Sequence, residues 1–206
     1  GVWVAGSNAQ GGLLYSTDGQ TWTQSNITSI SVATMCFANN LWCVASNSNS
    51  GGGLLYSVDG KTWTSSNITS ASNFVYYANG RWVSCSIGDM ILFYSDDGKN
   101  WIQWETSHVI THAVYAKGIW VFCGTYGIHY STDGQIIKQS NVTGTISGVY
   151  YANGVFVAGG AHGLWYSFDG VFWTQSNVTT SIYSMPAMNR DGIWVVGAGS
   201  SGIYYS

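Results

Sequence analysis

The octapeptide Tyr15-Ser16-Thr17-Asp18-Gly19-Gln20-Thr21-Trp22 decides the fold, because it comes back. It recurs as Tyr56-Ser57-Val58-Asp59-Gly60-Lys61-Thr62-Trp63, as Tyr94-Ser95-Asp96-Asp97-Gly98-Lys99-Asn100-Trp101 and as Tyr166-Ser167-Phe168-Asp169-Gly170-Val171-Phe172-Trp173. A degenerate copy, Tyr130-Ser131-Thr132-Asp133-Gly134-Gln135-Ile136-Ile137, has lost the tryptophan, and a sixth copy begins at Tyr205-Ser206. The aspartates stand 41, 38, 36 and 36 residues apart. Self-similarity at this period marks a repeat architecture.

A second motif lies between the copies. It reads Tyr76-Tyr77-Ala78-Asn79-Gly80-Arg81-Trp82-Val83, with relatives at Phe37-Ala38-Asn39-Asn40-Leu41-Trp42, Tyr115-Ala116-Lys117-Gly118-Ile119-Trp120 and Tyr151-Ala152-Asn153-Gly154-Val155-Phe156. Asn-Gly between apolar runs signals a two-residue hairpin, because both central residues need φ > 0. Each unit therefore reads as four short strands, A to D. In the second unit the pattern predicts A near Met35–Ala38, B near Leu41–Ala45, C near Leu54–Ser57 and D near Thr62–Ser66. No stretch shows helical periodicity with caps. Four strands every ~40 residues is the pattern of a β-propeller blade, so residues 1–206 read as a single all-β propeller domain.

Composition narrows the function. Charged residues are 7% and aromatics 16% of 206 residues, with 11 Trp and 14 Tyr. Six Lys plus Arg cannot line a phosphate backbone, which argues against nucleic-acid binding. No apolar run approaches the roughly 18–20 residues of a membrane span, and no charged-then-apolar leader opens the sequence given. No cofactor motif or metal-ligand spacing is present.

The aspartate motif resembles the Asp-box, or BNR repeat, of sialidase-like β-propellers. The resemblance implies that each box sits on the C–D hairpin at the propeller rim, away from any active site. It implies a structural role for Asp18, Asp59, Asp97, Asp133 and Asp169. Elementary chemistry agrees: an Asp carboxylate accepts backbone N–H groups in its own turn, and Gly supplies a conformation other residues resist. Calcium is the weaker reading, because each box offers one or two carboxylates where Ca²⁺ wants 6–8 oxygens.

The termini fall out of phase with the repeats. Val2–Ala5 align with strand B and Ile203–Ser206 with strand C, giving about six blades, the first lacking strand A and the last lacking strand D. Either the sequence stops short of further strands, or the open edges take strands from another copy and build rings or filaments. Self-association through unpaired strand edges is the partner expectation.

Antiparallel order puts the A–B and C–D turns on one face and the B–C and D–A loops on the other. The second face carries the variation, including the B–C loop Asn47–Gly52, and variable loops on a rigid scaffold are where binding resides. Candidate ligand-facing residues are Tyr126 and Trp165, which can stack on sugar rings, and the acids Asp89 and Glu105. The alternative for Trp165 is blade core. The D–A segments hold four sequons, at Asn26, Asn67, Asn141 and Asn177, candidate glycosylation sites that suggest an extracellular or cell-surface protein. The alternative is a turn copied with each repeat. In the third unit Glu105 stands where other units have Asn, and His108 and His112 follow. Structural histidines are favoured there over metal ligands. Cys36 stands opposite Cys43 across a hairpin, where either a disulfide or a buried free thiol fits.

The resemblance raises glycoside hydrolysis, but sialidases of this fold use three arginines and this chain has two, Arg81 and Arg190, both at A–B turns. Outside the boxes the acids are Asp89, Glu105 and Asp191, and nothing in the sequence sets a pair at a catalytic gap. The reading favoured is a non-enzymatic structural or adhesive extracellular propeller, with a lectin-like glycan binder as the alternative.

Overall fold

The repeats fold as six consecutive antiparallel sheets, seen in a computed structural model of the chain that describes residues 1–7, 11–47, 52–86, 88–182, 187–188, 192–197 and 202–205. Arg190 and Asp191, residues 48–51 of the Asn47–Gly52 loop and Ser206 lie outside the described residues. Sheet 1 holds Trp3–Gly6, Leu13–Ser16 and Thr23–Gln24. Sheet 2 holds Val32–Ala38, Leu41–Ser46, Gly53–Ser57 and Thr64–Ser65, and sheet 3 holds Ser72–Ala78, Arg81–Ser86, Ile91–Ser95 and Ile102–Glu105. Sheet 4 holds Ile110–Ala116, Ile119–Gly124, Gly127–Ser131 and Lys138–Gln139, and sheet 5 holds Ile146–Ala152, Val155–Gly160, Gly163–Ser167 and Thr174–Gln175. Sheet 6 holds Ala187–Met188, Trp194–Gly197 and Ile203–Tyr205. Sheets 2 to 5 have four strands each in the order A-B-C-D; among the described residues sheet 1 holds B, C and D and sheet 6 holds A, B and C, as the phase of the repeats predicts. No helix among the described residues is long and apolar enough to cross a membrane.

Two strand boundaries differ from the sequence reading. Strand A of sheet 2 starts at Val32 rather than Met35, and a register shift between Val32 and Thr34 explains why alternation fades there. The same shift recurs between Ser72 and Phe74, Ile110 and His112, and Ile146 and Gly148, one extra residue per A strand. Strand D shortens to two paired residues, Thr64–Ser65, because the aspartate turn occupies the residues before it.

The A–B hairpins close as read. Ala38 pairs with Leu41 and Ala78 with Arg81, leaving two-residue loops. Their central residues have positive φ, 49° and 55° at Asn39 and Asn40, and 50° and 76° at Asn79 and Gly80.

The chain divides into two compact units, Gly1–Glu105 and Thr106–Ser206. In each, the core lies between sheets. In the first unit one cluster joins Leu13 and Ile30 to Val44, Leu55 and Trp63, and another joins Cys43 and Leu54 to Val75, Trp82, Phe93 and Trp101. In the second unit Val121, Cys123 and Ile128 pack on Val149, Phe156, Ala158 and Trp173. Strand B is therefore covered on both faces: Ile119–Gly124 is buried throughout. That is why these strands read as apolar runs and not as alternation.

Candidate functional site

The five aspartate turns share one bonding scheme. The Ser16 hydroxyl donates to Asp18 Oδ1 (2.9 Å) and accepts the Gly19 N–H (2.8 Å), while Asp18 Oδ1 also accepts the N–H groups of Gln20 (2.8 Å) and Thr21 (2.7 Å). Asp59, Asp97, Asp133 and Asp169 repeat it. Backbone N–H donors hold the Asp18 and Asp59 carboxyls down to about 2 and lower Asp133 as well. At Asp97 and Asp169 burial works the other way and is outweighed by the same donors. These carboxylates are spent on their own turns.

The turn glycine has a second task. A Cβ on Gly98 would lie 2.5 Å from Leu41 Cδ2 and 3.1 Å from Cys43 Sγ, and one on Gly170 would lie 2.9 Å from Val121. The turn of one sheet thus sits directly on strand B of the sheet before it.

Three of the four sequon asparagines clamp successive sheets. Asn26 Nδ2 donates to the Trp63 carbonyl (2.9 Å), and Asn26 Oδ1 accepts the Trp63 N–H (2.8 Å). Asn67 does the same to Trp101 and Asn141 to Trp173. The serine before each asparagine holds the loop, accepting the N–H two residues on, as Ser66 does from Ile68. Clamped tryptophans are buried, with Trp63 3%, Trp101 4% and Trp173 4% exposed. Trp22, in sheet 1, is 40% exposed. Among the described residues no partner bonds the Asn177 side chain as Trp173 bonds that of Asn141. The sequence signal was available: the repeat whose Asn becomes Glu105 precedes the repeat whose Trp becomes Ile137.

The other candidates are scattered. Tyr126 is exposed and meets His108 edge-on (5.5 Å between ring centroids), and His108 lies 4.3 Å from buried His129. Burial and then His108 lower His129 to about 4, and burial lowers His112. Trp165 is half-buried against the core cluster of sheets 4 and 5. Glu105 pairs with Ile91 across sheet 3, which places it and exposed Asp89 at the same end of that sheet. Arg81 is held by Asp96 (3.3 Å) over the Tyr94 ring. Cys36 and Cys43 do stand opposite each other, yet all four cysteines are free thiols, and Cys43 donates to the Gly98 carbonyl. Burial pushes Cys123 up to about 12 and Cys43 higher still. Among the described residues no group of three His, Cys, Asp or Glu is placed to hold a metal ion.

One apolar groove stands out. On the open edge of sheet 6, a cavity of about 190 Å³ is lined by Val157, Leu164, Asn177, Val178, Trp194 and Val196, among others. By repeat position its walls correspond to Val121, Ile128, Asn141, Val142, Phe156 and Ala158, the residues around Trp173.

No protein-family model matches the sequence, and no curated protein matches it. Solved structures share the fold. The computationally designed Ika8 protein matches with a TM-score of 0.72 at 15% identity, over 99% of this chain and 67% of its own. YCF48 bound to D1 peptide matches at 0.63 and 16%, over 89% and 68%. The GH74 enzyme of Niastella koreensis matches at 0.66 and 18%, over 98% of this chain but 36% of the enzyme. The six sheets and these neighbours make the chain an all-β protein of β-propeller type with about six blades.

Proposed function

We propose that residues 1–206 form one Asp-box propeller domain that works without catalysis, as an extracellular structural or adhesive building block whose copies associate through unpaired strand edges. The observation that carries this reading is the exposed outer edge of each four-stranded unit, where strand D is exposed throughout at Thr23–Gln24, Thr64–Ser65, Ile102–Glu105, Lys138–Gln139 and Thr174–Gln175. Open edges present unpaired N–H and C=O groups, a template for another strand. The acids lend support: five are consumed in turns, and Asp89 and Glu105 are exposed. The sequons weigh less than their number suggests, since three of the asparagines act as clamps and recur for that reason. A glycan-binding alternative keeps Tyr126, exposed just before strand C of sheet 4, beside His108.

Sedimentation velocity of the native protein over a wide concentration range tests the proposal. Association that grows with concentration is the expected result. A species that stays at 22.2 kDa throughout would sink it.

A further inference from the structure

We infer that His108 and His129, two imidazoles brought together beside exposed Tyr126, form a binding site for a divalent transition-metal cation that prefers imidazole nitrogen, Cu²⁺ above Zn²⁺. All three residues belong to the compact unit Thr106–Ser206, and the site stands whether or not copies of the chain associate.

His129 lies in strand C of sheet 4, is 1% exposed, and has no hydrogen-bond partner at either ring nitrogen. Buried polar atoms almost always find partners, so two orphaned nitrogens on one ring need a reason. Gln139, its partner across the strand pair, approaches the ring without reaching hydrogen-bond geometry and gives its amide nitrogen to the carbonyls of Ile128 and Val142. The fold does not require the imidazole, since the same position holds Leu14, Leu55, Phe93 and Trp165 in sister repeats. His108 is a second departure. It stands two residues before strand A of sheet 4, as Ile30 stands two residues before strand A of sheet 2. In sheet 2, Ile30 and Leu55 belong to one apolar core cluster. Sheet 4 has histidine at both positions, so an apolar pair is replaced by two metal-ligating side chains in one place.

The two rings lie 4.3 Å apart between centroids, with their planes 48° apart. Two imidazole nitrogens that share one tetrahedral ion, each roughly 2.0–2.1 Å from it, stand about 3.3 Å from each other. Rings this close reach that spacing by small side-chain rotations. Ser107 Oγ lies 2.6 Å from His108 Nδ1. With the serine accepting from Nδ1–H, the Nε2 lone pair is left for the ion, and such an orienting bond is what a ligating histidine ordinarily carries. His129 offers either nitrogen. Ser107 and Tyr126 are exposed and His108 is half-buried, so the pair is reached from the loop end of the sheet. Two protein ligands leave the other positions to water, consistent with the lack of a third His, Cys, Asp or Glu close by among the described residues. A nitrogen-only pair favours copper and zinc over Mg²⁺ and Ca²⁺, which take oxygen ligands.

The test is isothermal titration calorimetry of the intact chain with CuCl₂, ZnCl₂ and MgCl₂ at neutral pH, joined to electron paramagnetic resonance of the copper form. One equivalent of Cu²⁺ should bind, more tightly than Zn²⁺, with no saturable binding of Mg²⁺. The copper spectrum should show coupling to two imidazole nitrogens. Ser107→Ala removes the orienting bond and should weaken Cu²⁺ binding about ten-fold. His108→Ser and His129→Leu install the residues that sister repeats carry there, Ser70 and Leu55, and each should weaken it further and remove one nitrogen from the spectrum. His162→Ala, outside the pair, should change nothing. Circular dichroism checks that each variant is folded, and His108→Ser, at a half-buried loop position, decides the matter alone if His129→Leu does not fold. Absence of saturable Cu²⁺ binding overturns the assignment. So does an affinity unchanged in His108→Ser, or a bound ion that is lost with His162 and kept without His108.

Discussion

Gly98 (φ +72°) and Gly80 (φ +76°) occupy the same left-handed region of backbone space, but their surroundings differ. A Cβ on Gly80 meets nothing within 4 Å, whereas one on Gly98 meets Leu41 Cδ2 at 2.5 Å and the Trp82 ring nitrogen at 3.0 Å. Gly80→Ala should therefore cost only the backbone strain, roughly 1–2 kcal/mol. Gly98→Ala adds displacement of packed side chains and should cost about 1–3 kcal/mol more. Urea denaturation of both variants reads the difference directly. Equal losses would mean that the turn glycine serves φ alone and that the sheet-to-sheet approach at Cys43 is loose. The φ requirement was legible in the repeat of Asp-Gly. The approach was not, because it depends on a residue 55 positions away.

Strands and loops are held together by a rule that spans two repeats, and this is where reading the sequence falls short. Asn-x-Thr reads as a sequon when one repeat is examined alone. The structure shows Asn67 bonded to both backbone groups of Trp101, in the next sheet. Hairpins A–B and the aspartate turns are local, so Asn79-Gly80 and Asp59-Gly60 declare themselves within four residues. The bulge in strand A and the clamp are not local. Asn67→Ala removes a donor and an acceptor at a part-buried site and should destabilise the chain by about 1–3 kcal/mol. Asn177→Ala should leave the stability of the chain alone unchanged within about 0.5 kcal/mol, since its amide has no described partner. Thermal unfolding of the pair checks this. Comparable losses at both positions would show that Asn stabilises its own loop and that the bonds to tryptophan contribute little.

At the scale of the whole molecule, stability responds to acid in two separate windows. His129 is 1% exposed and titrates at about 4 in the folded chain, against an ordinary value near 6.5. As pH falls, the unfolded chain takes up this proton first, so the neutral buried ring contributes stability above 6.5 that is lost between 6.5 and 4. His112, lowered by burial, acts in the same direction. The turn aspartates have the same sign but sit lower. Asp18 and Asp59 titrate at about 2 when folded and near 3.8 when free, so their contribution is intact above 3.8 and fades toward 2. The unfolding midpoint, followed by circular dichroism from pH 7 to pH 2, should therefore fall in two stages. The position of His129 holds Leu14, Leu55, Phe93 and Trp165 in sister repeats, so His129→Leu fits the blade and isolates the upper stage. That variant should flatten the fall between pH 6.5 and 4, apart from the share of His112, and leave the fall below pH 4 as it was. If the upper stage survives His129→Leu undiminished, the buried imidazole is not its source. If the lower stage is missing from both proteins, the aspartate turns do not hold their carboxylates as the bonds from Gln20, Thr21, Lys61 and Thr62 require.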